Sequence, residues 1–191
     1  MATQFECPRC HGADKHCLLC NGRGSVDDCA FSPHFAYSEL VHSSHKDIPN
    51  DPPPEAIENL RRLAIDLLEP VRAVVGPLRV TSAYRSRSLD AAVAGPEWES
   101  IKLSAHAIGA AADVVPQAAG KTLLDVIEAV RSIPNLQWDQ TIIEGGCVHL
   151  GIYAPRGRVK QRRQINVRVR VHDEWHYEVF VGTPEQMSRV A

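Results

Sequence analysis

The stretch Thr141-Ile142-Ile143-Glu144-Gly145-Gly146-Cys147-Val148-His149-Leu150-Gly151-Ile152 decides how this chain folds. Two short apolar runs flank a Gly-Gly pair, and adjacent glycines accept the positive φ values that a two-residue hairpin turn demands. A β-hairpin is therefore predicted, with His149 on its second strand. Upstream, Ile57, Leu60, Ala64, Leu67, Leu68 and Val71 recur at helical spacing after Pro52-Pro53-Pro54, which predicts an amphipathic helix over 55–74. Leu78 to Ser82 reads as a strand after the Gly76-Pro77 break, followed by a short helix around Leu89 to Val93 and a polar loop with a Gly95-Pro96 turn. Ala112 to Val115 is strand-like, and Lys121 to Ile133 is a second amphipathic helix through Leu123, Leu124, Ile127 and Val130. Downstream, Ile165, Val167, Val169 and Val171 alternate with Asn166, Arg168, Arg170 and His172, a period-two strand with a basic face. Helices and short strands in this order predict an α+β domain.

Composition sets the outer bounds. The 191 residues carry a formal net charge of −2, with 44% hydrophobic and 23% charged residues, which is ordinary globular usage. No apolar run reaches the ~20 residues of a membrane span. The start Met-Ala-Thr-Gln-Phe-Glu lacks the basic and apolar regions of a signal peptide, so cytoplasmic synthesis is expected. Near-neutral balance gives no global argument for nucleic acid. Arg156, Arg158, Lys160, Arg162, Arg163, Arg168 and Arg170 nevertheless place seven cations within 15 residues. Such a face suits an anionic polymer or an acidic protein, or else a solvated strand edge protected by its charges. The missing aromatic interleaving counts against nucleic acid.

Cysteine is concentrated at the start. Cys7-Pro8-Arg9-Cys10-His11-Gly12 and Cys17-Leu18-Leu19-Cys20-Asn21-Gly22 repeat one C-x2-C knuckle. Without a secretion signal, that spacing favours metal-bound thiolates over disulfides. Cys7, Cys10, Cys17 and Cys20 would complete a closed four-thiolate zinc site that folds the segment and catalyses nothing. The pattern resembles the cysteine-rich zinc repeats of DnaJ-type chaperones, in a single short copy.

A second donor set lies further on. His106 and Asp113, in Ser104-Ala105-His106-Ala107-Ile108-Gly109-Ala110-Ala111-Ala112-Asp113, can meet if the loop folds back into the Asp113 strand, and the small residues Gly109 to Ala112 permit close approach. With His149 they make two imidazoles and one carboxylate, leaving zinc a fourth position for water. Glu144, across the Gly-Gly turn, can take that water's proton, or can be an exposed turn carboxylate.

Phe31 to about Gln164 resembles the zinc D-Ala-D-Ala carboxypeptidases and their phage relatives, which cleave peptidoglycan stem peptides. Phe35-Ala36-Tyr37-Ser38-Glu39-Leu40 with Ile48-Pro49-Asn50-Asp51-Pro52-Pro53 resembles the family's opening segment. Val80-Thr81-Ser82-Ala83-Tyr84-Arg85-Ser86 is similar to its S-G-Y-R-S block, with Ala83 in place of glycine. Ser104 to Asp113 matches S-x-H-x-x-G-x-A-x-D, and Asp139 to Glu144 with Val148-His149-Leu150 resembles the final block. The resemblance implies His106, Asp113 and His149 as ligands of a catalytic zinc and Glu144 as general base. It also implies that Arg85 holds the substrate's carboxylate or polarised carbonyl, with Arg87 as the fallback if Arg85 makes a structural ion pair. Cys147 stands where many relatives have an aromatic residue. His172-Asp173-Glu174-Trp175-His176 resembles the D/E-x-W-H block of other branches of the superfamily, which makes His176 the competitor of His149 and Asp173 the competitor of Glu144.

The resulting expectation is a zinc metallopeptidase with a small antiparallel sheet and two main helices around a zinc site, D-Ala-D-Ala carboxypeptidase or hedgehog-like. A zinc knuckle over 1–30, a peptidase domain over 31–155 and a basic β tail over 156–191 are expected. Its implied partner is the peptidoglycan stem peptide, with phage tail or other virion proteins as further partners and no membrane. It would act in the cell-wall compartment after cytoplasmic synthesis, as a free endolysin, or be carried in a virion. A noncatalytic phage structural or wall-binding protein retaining the fold is the alternative.

Overall fold

A computed structural model describes residues 4–6, 12–13, 15–16, 23, 25–27, 30–94, 104–152, 162–171, 174–182 and 186. The elements are β1 (Gln4–Glu6), β2 (Ser25–Asp27), α1 (Tyr37–Leu40), α2 (Pro54–Leu63), a π-turn (Ala64–Leu68), α3 (Glu69–Val75), β3 (Leu78–Ser82) and α4 (Arg87–Ala94). A 3-10 turn (His106–Ile108), β4 (Ala111–Pro116), α5 (Leu123–Ser132), β5 (Gln140–Glu144), β6 (Cys147–Gly151), β7 (Gln164–Val171) and β8 (Glu174–Val179) follow. The chain is α+β, as its periodicities predict. Pro70, which has no N–H for an i−4 carbonyl, is the second residue of α3, one residue past the π-turn that widens the helical ladder.

The chain divides into two compact units, Met1–Ile65 with Ser82–Ala110, and Asp66–Thr81 with Ala111–Ala191. In the first, β1 and β2 pair antiparallel, Phe5 opposite Val26, so the strands either side of the cysteine pairs meet. The cysteines Cys7, Cys10, Cys17 and Cys20 lie outside the described residues, as does the Gly95-Pro96 turn. Ala56, Ile57, Leu60 and Leu63 bury one face of α2. Phe31, Phe35, Leu40 and Leu89 are buried in the same unit. Asn50 ties distant segments together: its Nδ2 donates to the carbonyls of Val41 (2.9 Å) and Tyr84 (3.0 Å), and its Oδ1 accepts from the Ser86 amide (2.7 Å).

The second unit is built on a six-stranded sheet of order β3-β4-β6-β5-β7-β8. One face is core: Ala112, Val114, Val148, Leu150, Ile143, Val167 and Val169 are all buried. Helix α5 packs against β4, β6 and α3. Thr122 and Asp125 close a capping box at the start of α5. The sheet is mixed where a purely antiparallel one is expected from sequence, because β7 runs parallel to β5. Both sides of β6 are taken, by β4 and β5, so the returning strand seats itself on the far side of β5. Asp139 fixes that placement: its carboxylate accepts from the Arg162 amide (2.6 Å), Nε (2.8 Å) and Nη2 (2.6 Å), and its carbonyl accepts from the Gln164 amide (3.2 Å).

Candidate metal centre

His106 opens the 3-10 turn and is buried. Its Nδ1 lies 2.7 Å from the Ala83 carbonyl oxygen, which can only accept, so Nδ1 carries the proton and Nε2 keeps a lone pair for a ligand. The segment carrying Ala83 is pinned in turn: the Arg85 amide donates to the His106 carbonyl (3.4 Å), and the Tyr84 amide donates to the Leu40 carbonyl (2.9 Å). The Ser82-to-Ser86 block thus orients a histidine through its backbone.

Gly109 explains why this turn can sit so close to α2. Its φ is +71°, and a Cβ there would stand 2.3 Å from the Ala56 carbonyl oxygen. Asn59 Nδ2 donates to the Ile108 carbonyl at 2.8 Å and locks the same contact. The small residue expected to let the loop approach the Asp113 strand serves instead a close approach to a helix.

Asp113 and His149 are directly opposite on β4 and β6, and Ile142 of β5 is opposite His149 on its other side. Cross-strand partners share a face, so these three project from the side opposite the aliphatic core. His149 Nδ1 and Asp113 Oδ1 are 3.0 Å apart. His106, Asp113 and His149 are 4, 8 and 7% exposed. Each offers one ligand atom, and all three atoms lie within 4.8 Å of one another, so the group can hold a metal ion. The donor chemistry fits zinc: bonds of ~2.0–2.1 Å at the tetrahedral angle put ligand atoms about 3.3 Å apart, and three protein donors leave one position open. A buried carboxylate also needs a compensating positive charge, which a divalent cation or a protonated His149 supplies.

Glu144 ends β5 opposite Cys147, with Gly145 (φ +46°) and Gly146 (φ +86°) making the turn between them. It is two residues along β5 from Ile142, hence on the face of His149 and diagonal to it, an arrangement that places backbones ~7–8 Å apart. Its side chain is half-buried, and Oε2 lies 3.5 Å from Arg168 Nη1. Cys147 Sγ donates to the Glu144 carbonyl at 3.3 Å.

Arg85 Nε is ion-paired with the buried Asp90 at 2.9 Å, and its Nη1 lies 3.4 Å from Ser82 Oγ. Arg87 is exposed at the start of α4. His176 lies outside the group: on β8, about half exposed, with Glu174 Oε2 3.8 Å away. Asp173 and His172 lie outside the described residues.

Two partners escape sequence reading. The carbonyl of Ala83 has no side-chain signature. Arg168 belongs to the alternating basic face, but its pairing with Glu144 depends on the parallel β5–β7 register. The chain matches no protein-family model and no curated protein.

Proposed function

We propose that this chain is a zinc-dependent peptidase of the D-Ala-D-Ala carboxypeptidase type, acting on peptidoglycan stem peptides. The observation that carries the reading is the buried His106-Asp113-His149 group, whose members fall on the ligand positions of the motif blocks that resemble that family. Zinc held there supplies Lewis acidity toward the scissile carbonyl and makes water a nucleophile near neutral pH. Glu144, on the same sheet face as His149, receives a proton from the attacking water at a carboxylate oxygen and delivers it to the departing amine nitrogen. The water oxygen bonds to the carbonyl carbon as the C–N bond breaks, leaving a carboxylate and an amine. Because Arg85 is ion-paired with the buried Asp90, the role of holding the peptide's terminal carboxylate with a planar guanidinium passes to the exposed Arg87. The cysteine knuckle would hold a second, structural zinc. A phage lysin, free or virion-borne, is the setting that the resemblance supplies.

The test combines metal content with digestion of purified peptidoglycan, read by mass spectrometry. His149→Ala should lose the catalytic zinc and all hydrolysis, while His176→Ala keeps both. Glu144→Gln should keep zinc and lose at least ~100-fold in turnover. Zinc bound at His106, Asp113 and His149 with no cleavage of any stem-peptide bond would leave a noncatalytic wall-binding protein. Zinc that survives His149→Ala but not His176→Ala would move the third ligand to the tail.

A further inference from the structure

The register of the second unit aligns more than the metal ligands. Asp113, His149, Ile142, Asn166 and Val179 are successive partners across five strands, so their side chains form one row on one face. Next to it on that face, Cys147 is opposite Glu144 and Arg168 is opposite Tyr177, and the Arg168 and Glu144 side chains join the two pairs. Both rows end in exposed residues on β8. His149 and Ile142 are 7% exposed, Asn166 and Arg168 are half-buried, and Tyr177 and Val179 reach 58 and 69%. The Arg168 guanidinium sits over the Tyr177 ring, 6.0 Å from its centre, and reaches Glu144 on the other side.

We propose that the β7–β8 face is the docking lane for the peptide substrate of the reading above, on which this inference rests. Tyr177 and Val179 touch the substrate's apolar portion, and Arg168 takes a free carboxylate upstream of the scissile bond. Three features specify this occupant. The lane is continuous, strand by strand, with the metal ligands, so a chain laid across β7 and β5 leads to His149. A large aromatic and a valine, more than half exposed on a strand face, provide contact area where a sheet in water ordinarily places polar side chains. The one described cation of the lane sits between the exposed aromatic and Glu144, which suits an acidic peptide and selects against a basic one. β8 thereby becomes a specificity element, although it contributes no metal ligand.

The experiment is calorimetric titration of the zinc-loaded Glu144→Gln protein, in which turnover is slowed at least ~100-fold, with a synthetic stem pentapeptide ending in D-Ala-D-Ala. Tyr177→Ala in that background should weaken binding about tenfold, the scale for losing one aromatic contact, while Tyr177→Phe should retain it. His176→Ala, on the opposite face of the same strand, should bind as the parent does. Amidating the peptide's D-glutamate should cost about tenfold against the parent and nothing against Arg168→Gln. Val179→Ser gives a second, milder probe should Tyr177→Ala fold poorly, and zinc content checks each variant. Parent-like affinity in both Tyr177→Ala and Val179→Ser, or no binding of the pentapeptide to the parent, would overturn the lane. Hydrolysis by the unaltered chain, measured alongside, decides the peptidase reading separately, because activity with unchanged Tyr177→Ala affinity removes only the lane.

Discussion

Replacing Gly109 with alanine tests how the first histidine is held. The residue has φ +71°, where an L side chain costs about 1–2 kcal/mol. Its new Cβ would also stand 2.3 Å from the Ala56 carbonyl oxygen, 3.0 Å from the Ala56 carbonyl carbon and 3.1 Å from Leu60 Cγ. Two of those atoms are helix backbone, which cannot rotate away, so the turn must retreat by about 1 Å, at an overpacking cost of about 1–3 kcal/mol. Together the substitution should cost about 2–5 kcal/mol, or roughly 5–15 °C in Tm for a chain of this size. Gly120→Ala isolates the backbone part, since Gly120 has φ +77° and nothing within 4 Å of an added Cβ. Thermal unfolding by circular dichroism gives both values. The affinity of the His106-Asp113-His149 group for a metal ion should also fall for Gly109→Ala alone, because retreat breaks the Asn59–Ile108 hydrogen bond and moves His106. If Gly109→Ala lowers Tm no more than Gly120→Ala, the close approach to α2 is not what that glycine provides.

Thr141 is fully buried on the core side of β5, and among the described residues its hydroxyl has no hydrogen-bond partner. Thr141→Val removes that unsatisfied oxygen at nearly constant shape and should raise Tm by about 2–4 °C, corresponding to roughly 1 kcal/mol. Asp125 is held down to about 2, first by the Thr122 amide, then by Lys121 and the Thr122 hydroxyl. A depressed carboxylate stabilises above its ordinary 3.8 and loses that contribution as pH falls toward 2, so Asp125→Asn should flatten the acid limb of a stability–pH curve over that window. A limb as steep as the parent's would show that the capping box does not form in solution. Burial, then Asp51 and Tyr84, push the Tyr37 phenol up to about 12. The folded state therefore keeps the neutral phenol, and its stability falls as pH rises from 10 toward 12. Tyr37→Phe keeps the edge-to-face contact with Phe31 and should shift the onset of alkaline unfolding upward. An unchanged onset would refute that assignment.

By itself, the sequence determined what depends on neighbours along the chain. Two adjacent glycines between apolar runs specify a hairpin because they admit the positive φ values of the turns that match the strand twist. Apolar spacing locates the long helix and α5, and alternation locates β7, because each element must turn one face to a core. Residue chemistry likewise singles out His106, Asp113 and His149 as donors, and the motif blocks bring Glu144 and Arg85 into view. Tertiary structure alone decided the rest, because pairing between distant strands leaves no local pattern. The seating of β7 parallel to β5 follows from the occupied edges of β6 and the Asp139–Arg162 clamp. That one choice puts Arg168 beside Glu144 and opens the Tyr177 face. The same holds at His106, whose proton is positioned by a backbone carbonyl and whose turn is admitted by a glycine pressed against α2. A backbone oxygen is common to every residue type, so only the folded chain shows which one a histidine meets.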